Sequence, residues 1–235
     1  MTMPNFPDTT ESDNAADNPA AAVTDAPCCK PAGRPRAADM EARMQNLLEA
    51  AARLFLEKGY SKVSLEMIAR EAHVAVRTIY VKFGGKAGLF NAVIARGRSR
   101  YFTTGDMETD RRPIEQILSD FGFSFLQLMS MPQTISMNRM VIAEAGANPE
   151  LAITFNQAGP GPMRELLKRF FARPEIRANL RGDIPPNVMV QHLLNCIVGD
   201  QLSRLLFGPE TAPTEAELRQ KVALGLDLFF KGALR

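Results

Sequence analysis

The chain has 235 residues, 46% of them hydrophobic and 23% charged, which is ordinary for a globular protein of one large or two modest domains. No apolar run is long enough to span a bilayer, and the N-terminus lacks a secretory signal, so we expect a cytoplasmic protein without membrane contact. Three cysteines and two scattered histidines predict neither a disulfide framework nor a zinc site, and we expect no metal or cofactor.

Positive charge is concentrated in one part of the chain, although the net charge is only +2. Residues 1–33 carry one lysine against five acids, and residues 34–100 carry thirteen basic residues against six acids. Residues 101–235 carry fourteen basic residues against fifteen acids. A basic segment before a nearly neutral one predicts polyanion binding in the first and another task in the second.

Residues 1–36 are rich in Asp, Asn, Pro, Ala and Thr, so we predict a disordered, mainly solubilising tail. The basic end of this tail has two open interpretations: it continues the tail, or it is an arm that contacts phosphate or the minor groove. Arg36 is therefore a candidate DNA contact. Adjacent Cys28 and Cys29 are interpreted as incidental rather than as a redox switch, although the sequence does not decide this.

Helical periodicity extends through most of the remaining chain, so we predict an all-α fold. A first helix, from about Ala38 to Lys58, has one apolar stripe that is typical of a core face. The stripe consists of Met44, Leu47, Leu48, Ala51, Leu54 and Phe55. Gly59 supplies the stop.

Residues 62–90 predict two short helices joined by a tight turn, followed by the start of a further helix near Lys86. Such short helices are not stable alone, so they must pack on neighbours. The polar hydrogen-bond donors left for their outer face are Arg77, Thr78, Tyr80, Lys82 and Lys86. No carboxylate occurs from Arg77 to Phe90. This pattern favours a helix-turn-helix that enters a DNA groove.

Three arginines, Arg96, Arg98 and Arg100, crowd the far end of the helix that begins near Lys86. One interpretation is that they steer DNA toward the domain. The other is that they form a solvated face with favourable charges at a helix C-terminus. The sequence leaves both open.

A resemblance to the DNA-binding domain of the tetracycline-repressor (TetR) family is carried by four pieces and their spacing: LLEAAARLFLEKGY, SLEMIAREA, VRTIYVKF and GKAGLF. A further stretch resembles the regulatory domain of the AefR-like subgroup: NRMVIAEAGANPELAITFNQAGP. The resemblance implies a helix-turn-helix domain at residues 37–103 and a larger helical ligand-binding and dimerisation domain at residues 104–235. It also implies a recognition helix at about Val76–Lys82 and a homodimer that binds a palindromic operator.

The resemblance also assigns roles to individual residues. Ser64 would cap the second helix and touch phosphate, whereas Arg77 and Thr78 would face the groove. Tyr80 and Lys86 would contact phosphate, Lys86 from the start of the fourth helix. A second interpretation of Tyr80 is a core ring with its hydroxyl at the surface.

The chain departs from the family pattern at three positions. His73 occupies the turn where glycine is usual, and histidine tolerates a left-handed conformation. Ala75 replaces the usual Ser or Thr cap of the third helix, which removes a hydrogen bond. Gly84 replaces a common proline and makes the link to the next helix more flexible.

The second half predicts long helices with clear starts. These starts are Pro113, Gln133, Asn148, Asp183–Pro186 and a capping box of Thr214 and Glu217. Gly159 to Pro162 interrupts the helix that starts at Asn148, and the helix from Asp183–Pro186 continues to about Phe207.

Wide apolar faces on the last two helices predict a two-fold dimer through a four-helix bundle. The predicted interface residues are Leu194, Ile197, Val198, Leu202, Leu205, Leu218, Val222, Leu226 and Phe229.

Methionine and phenylalanine recur on the inner helices, where they form either ordinary core or a mostly apolar pocket for a hydrophobic effector. The apolar candidates are Phe121, Phe125, Met129, Met137, Met140, Phe155 and Met163. The polar candidates are His192, Asn195, Gln191 and Asn138, with His192 more typical of an interior hydrogen-bonded histidine.

The leading hypothesis is a ligand-responsive transcriptional repressor that binds double-stranded DNA, associates with the nucleoid when bound, and has no enzymatic activity. One alternative is a nonspecific nucleoid-associated protein, whose affinity would depend almost wholly on counterion release. A small-molecule carrier is another alternative. An enzyme is not supported, because no phosphate loop, metal cluster or paired nucleophile and base is present in the sequence.

Overall fold

The computed structural model describes residues 37–102, 106–208 and 212–234, and these residues form the helical fold that the sequence predicts. The predicted tail, with Arg36, Cys28 and Cys29, lies outside the described residues. The described residues belong to one compact unit. No helix in the described part of the chain is both long and apolar enough to cross a membrane.

Four helices form the N-terminal part: α1 (Ala37–Lys58), α2 (Leu65–Glu71), α3 (Val76–Phe83) and α4 (Lys86–Ser99). The next helices are α5 (Asp106–Thr109), α6 (Ile114–Ser130), α7 (Pro132–Glu144), α8 (Pro149–Ala158) and α9 (Pro160–Ala172). The described chain ends with α10 (Pro174–Arg177), α11 (Pro186–Val198), α12 (Gln201–Phe207) and α13 (Glu215–Ala233).

Side-chain caps explain why several helices begin where the sequence predicts. Asn148 accepts a hydrogen bond from the backbone N–H of Leu151 at 3.3 Å and starts α8. At α13, Thr214 accepts from the N–H of Glu217, whose carboxylate accepts from the N–H of Thr214 at 2.7 Å. This reciprocal pair satisfies two donors that a helix otherwise leaves open.

The predicted long helix ending near Phe207 is wrong in one respect, because it is interrupted between α11 and α12. Gly199 has a φ of 53° and a ψ of −130°, a conformation that L side chains rarely adopt. The short helices α5 and α10 were also not predicted from the sequence. Arg139 of α7 donates to the carbonyls of Leu205 and Leu206 and holds the end of α12.

Two apolar clusters hold the chain together. The larger is formed mainly by α6, α9, α11 and α13 and includes Phe121, Phe170, Leu193 and Phe229. The other is the core of α1 to α4, which also takes in Met137 and Val141 of α7 and Leu151 of α8. The short α2 and α3 therefore share a core with residues beyond the predicted domain boundary at 103, which supplies the neighbours that they need.

Helices α11 and α13 approach closely at Gly225. A Cβ atom added there would lie 2.5 Å from the carbonyl oxygen of Cys196, which no relaxed side chain could accommodate. A Cβ atom added at Gly232, in the same helix, would meet nothing within 4 Å.

We therefore expect Gly225→Ala to force α11 and α13 apart and to lower the melting temperature by several degrees, equivalent to about 1–3 kcal/mol. Gly232→Ala is the matched control. Because alanine favours a helix over glycine, this control should leave the melting temperature unchanged or slightly raised. Equal melting temperatures for the two variants in circular dichroism would contradict the close approach.

Candidate functional site

The two short helices α2 and α3 share an apolar core with an aromatic cluster. Phe55, Tyr60 and Phe90 lie with ring centroids 5.2–5.4 Å apart. Ile68 of α2 and Ile79 of α3 are fully buried in the same core. One face of each helix is therefore anchored, and the other is presented outward.

The turn between α2 and α3 has the conformation that the sequence predicts. His73 adopts a left-handed φ of 53°. Backbone hydrogen bonds from Ala72 to Ile68 and from Val74 to Ala69, both 2.9 Å, close the end of α2. Ala75 starts α3 without a side-chain hydrogen bond, as expected from the missing Ser or Thr. The turn is thus closed by backbone hydrogen bonds, without a side-chain cap on α3.

Helix α3 presents cations and large side chains outward. Arg77 and Lys82 are exposed, and Thr78 is half-buried. Tyr80 is 56% exposed, so the interpretation of its ring as a core group is wrong. Val81 is 74% exposed and was missed by the sequence reasoning. Only its position off the buried stripe of α3 could have indicated it, and valine can contact a thymine methyl group.

Ser64 and Lys86, two of the three residues that the resemblance matches to phosphate contacts, are both engaged within the chain. The hydroxyl of Ser64 accepts from the N–H of Met67 at 3.3 Å and caps α2, as predicted. The Lys86 ammonium lies 4.3 Å from the centre of the Tyr60 ring and 3.5 Å from the carbonyl oxygen of Ser61. Burial lowers the pKa of Lys86, an effect that the nearby Glu144 partly opposes.

Gly88 allows the start of α4 to lie close against the end of α3. A Cβ atom at this position would lie 1.7 Å from the carbonyl oxygen of Phe83, the last residue of α3. Only glycine allows the first turn of α4 to touch the end of α3 in this way. This positioning residue was not singled out from the sequence, although it lies within the GKAGLF piece.

The arginines at the end of α4 have structural partners. Arg96 contacts the Glu49 carboxylate at 2.6 Å and the carbonyl oxygen of Gln45 at 3.3 Å, both on α1. Arg98 donates to the carbonyl oxygen of Ala158 at 2.8 Å, at the end of α8. These contacts favour a structural role over the DNA-steering interpretation for Arg96 and Arg98.

Glu144, at the C-terminal end of α7, binds the loop between α1 and α2. Its carboxylate accepts from the backbone N–H of Ser61 at 2.8 Å and from the Ser61 hydroxyl. Burial raises the pKa of Glu144, but the hydrogen bonds from Ser61 and Tyr60 and the charge of Lys86 outweigh burial. The pKa therefore lies below its ordinary value. This contact fixes α7 to the loop on which Lys86 rests.

A cavity of about 850 Å³ lies between the N-terminal helices and the remainder of the described chain. One wall comes from α1 and α4, including Leu48, Ala52 and Val93. The other walls come from α6 to α9, α11 and α12. A volume of this size is typical of sites for small organic molecules.

Most of the predicted apolar pocket residues line this cavity: Phe125, Met129, Met137, Phe155 and Met163. Asn138 and Asn195 line it too. Phe121 does not, because it is buried in the larger cluster and stacks on Phe125 at 5.7 Å. Met140 packs on the core of α1 to α4. His192 and Gln191 are exposed, so the prediction of an interior histidine is wrong.

Most of the predicted dimer-interface residues are already covered within the single chain. Buried members, with at most 6% exposure, are Ile197, Leu205, Leu218, Val222, Leu226 and Phe229. Leu194, Val198 and Leu202 are half-buried and line the cavity instead. These residues therefore leave little apolar surface for a second subunit, and the predicted residue set requires correction.

On α12 and α13, the apolar side chains that remain exposed are not the ones predicted to form the interface. Leu224 and Leu228, one turn apart on α13, are each 65% exposed. Phe207, at the end of α12, is 87% exposed. The helical period of α13 was recognised from the sequence, but which of its faces the chain itself covers was not.

Comparison with known proteins gives the same picture over most of the chain. Residues 47–93 match the family described as bacterial regulatory proteins, tetR family, and residues 116–232 match the C-terminal domain of AefR-like transcriptional repressors. The HTH-type transcriptional repressor ComR of Escherichia coli K12 is 27% identical over 185 residues, covering 75% of this chain and 84% of ComR.

Solved structures resemble the chain over a similar extent. The flavonoid-responsive regulator FrrA is 25% identical, with a TM-score of 0.65 over 83% of this chain and 98% of FrrA. NalD, the secondary repressor of the MexAB-OprM multidrug efflux pump in Pseudomonas aeruginosa, is 26% identical. Its TM-score is 0.57 over 84% of this chain and 99% of NalD. This chain therefore belongs to the TetR family of bacterial DNA-binding transcriptional regulators, with a C-terminal domain of the AefR-like type.

Proposed function

We propose that the protein is a ligand-responsive repressor in the bacterial cytoplasm that binds a palindromic operator as a homodimer and is released by a hydrophobic small molecule. The observation that carries this proposal is the cavity, because α1 and α4 of the DNA-binding part form one of its walls. A molecule that fills the cavity would therefore contact both parts of the chain. FrrA is flavonoid-responsive, which supports a small organic effector.

The contacts of α3 suggest how DNA would be bound. Exposed Arg77 and half-buried Thr78, in the first turn of α3, would face base edges in the major groove. Tyr80, Lys82 and the α4 N-terminus at Lys86 would contact phosphates. For its ammonium to reach a phosphate, Lys86 would turn away from the Tyr60 ring.

Helix α7 is the proposed connection between effector and DNA. Its N-terminal half lines the cavity through Thr134, Met137 and Asn138. Its C-terminal end holds Ser61 through Glu144. An effector that preferred a shifted α7 would disturb this contact and lower operator affinity by its differential binding free energy, about 1–3 kcal/mol in typical cases.

The proposed dimer uses the exposed side chains of α12 and α13 rather than those buried within the chain. Leu224 and Leu228 form one apolar stripe, and Phe207 is exposed on α12. Two copies related by a two-fold axis would cover these groups and would separate the recognition helices by about one DNA turn or a multiple of it.

We expect Arg77→Ala to lower affinity for the operator by about 10- to 100-fold and affinity for random DNA much less, because bidentate contacts to guanine discriminate between bases. Fluorescence anisotropy with the DNA upstream of the gene measures both affinities. Arg111→Ala, which removes an exposed arginine paired with Glu175, is the charge control and should change neither. Equal affinity of the unmodified protein for every sequence, with the same salt dependence, would instead favour a nonspecific nucleoid protein.

Replacing both Leu224 and Leu228 by glutamate should convert the dimer to a monomer at micromolar concentration, since two charges would be buried at the two-fold interface. Light scattering gives the mass, and operator binding should weaken in parallel. Ile142→Glu with Ile153→Glu is the matched control, because these residues are 60% and 56% exposed and lie outside the proposed interface. A dimer that persists in the Leu224 and Leu228 variant would contradict this assignment.

Glu144→Gln should lower the melting temperature at neutral pH by a few degrees, because the carboxylate loses its charge while still facing Ser61. The folded pKa of Glu144 lies below the ordinary value of 4.5, so its stabilisation is present above that pH. It is lost as pH falls through the folded pKa, and the difference between variant and parent should vanish in acid. Glu165→Gln, on the surface of α9, is the control and should leave the melting temperature at neutral pH unchanged; an equal loss of melting temperature in both variants would refute the expected role of Glu144.

A further inference from the structure

The residues that line the cavity carry more positive than negative charge, although many of the lining side chains are apolar. Five arginines and two glutamates line it, an excess of three positive charges. The arginines are Arg53, Arg96, Arg98, Arg100 and Arg164, and the glutamates are Glu49 and Glu57.

Three of these arginines lie close to carboxylates. Arg96 pairs with Glu49 at 2.6 Å, and Arg100 lies 3.9 Å from the same carboxylate. Arg53 pairs at 2.5 Å with Glu71, at the end of α2. Glu49 and Glu71 therefore compensate the charges of Arg96 and Arg53, whereas Arg100 shares Glu49 at a longer distance.

The other two, Arg98 and Arg164, have only neutral partners among the described residues. Arg98 donates one N–H to the carbonyl oxygen of Ala158 at 2.8 Å. Arg164 donates one N–H to the amide oxygen of Asn156 at 3.4 Å. A guanidinium group carries five N–H donors, so both retain donors for an anion.

Both guanidinium groups donate a hydrogen bond to the last turn of α8, next to its junction with α9. Ala158, which receives the Arg98 hydrogen bond, directly precedes Gly159 and Pro160, and both of these line the cavity. Arg164 lies about one turn after Pro160 on α9 and contacts the last turn of α8. Arg98 is partly buried and Arg164 is exposed.

Apolar side chains form the rest of the lining close to these arginines. Phe155 of α8 and Met163 of α9 lie within a few residues of the junction, and Phe125, Met129 and Met137 extend the apolar surface. A ligand that satisfies both features has a carboxylate at one end and an apolar body at the other. Guanidinium groups bind carboxylates through paired, charge-assisted hydrogen bonds.

We propose that the effector is an amphipathic organic anion whose carboxylate is bound by Arg98 and Arg164 and whose apolar body fills the Phe- and Met-lined part of the cavity. This inference rests on the proposed function in taking the cavity as the effector site. It goes further by assigning the chemical class of the ligand and the two residues that select it.

The test compares decanoate with 1-decanol, which share an apolar chain and differ in the head group. Isothermal titration calorimetry on the DNA-free full chain at neutral pH measures both affinities. We expect decanoate to bind about tenfold more tightly, and added salt to reduce this preference. Equal affinities, tighter binding of 1-decanol, or no saturable binding of either probe would overturn the proposal.

Substitutions test whether the preference for decanoate over 1-decanol depends on Arg98 and Arg164. Arg98→Gln with Arg164→Gln should abolish it by weakening decanoate binding while leaving 1-decanol unchanged. Lys168→Gln with Arg169→Gln removes the same net charge from α9, outside the cavity lining, and should keep the preference. Arg164→Gln alone, at an exposed position, should give a partial loss even if the double variant folds poorly. A preference that survives in Arg164→Gln and in the folded double variant would reject the assignment.

Release of DNA is measured separately, by anisotropy of the operator complex with each probe. A preference for decanoate without release of DNA would support the cavity chemistry and reject ligand-responsive repression. Release by 1-decanol as effective as release by decanoate would support repression and reject the anion assignment.

Discussion

The apolar core shared between α1–α4 and the helices α7 and α8 is the constraint on which the rest of the structure depends. Helices α2 and α3 are too short to persist alone, and α3 begins without a side-chain cap. They are held by burial, through Ile68 and Ile79, in a core that Met137, Val141 and Leu151 complete. Helix α3, the proposed recognition helix, is therefore stabilised partly by the same helices that line the cavity. A change in α7 cannot leave this core unaffected, because packed interiors transmit displacement.

The cations of the basic segment, residues 34–100, differ in their contacts. The cations at the end of α4 bind α1 and α8, whereas those on α3 remain exposed. Lys86 lies between these extremes, over the Tyr60 ring and near the Glu144 carboxylate. This arrangement places one titratable group of α7, Glu144, beside the loop that precedes α2 and α3. The two halves of the chain are thus coupled by a charged contact as well as by apolar packing.

Helical periodicity indicated apolar faces correctly but could not say what covers them. On α13 the predicted interface residues, such as Val222 and Phe229, pack inside the chain, and Leu224 and Leu228 are left outside. A period of 3.6 residues shows that α13 has an apolar stripe. Which side chains cover that stripe depends on where α6 and α11 lie in space. The same reason explains His192, which lies on the exposed side of α11, and Phe121, which packs behind the cavity wall. Gly199 broke a helix that the apolar pattern alone predicted as continuous.

The sequence by itself determined the helical fold, the helix-turn-helix and its strained turn at His73, and the caps that start α2, α8 and α13. These features depend on neighbours in the chain, where side-chain type and spacing act directly. Tertiary structure alone decided that Arg98 and Arg164 line the same cavity and that Glu144 reaches Ser61. Such contacts join residues far apart in sequence, and their geometry follows from how whole helices pack rather than from any local pattern.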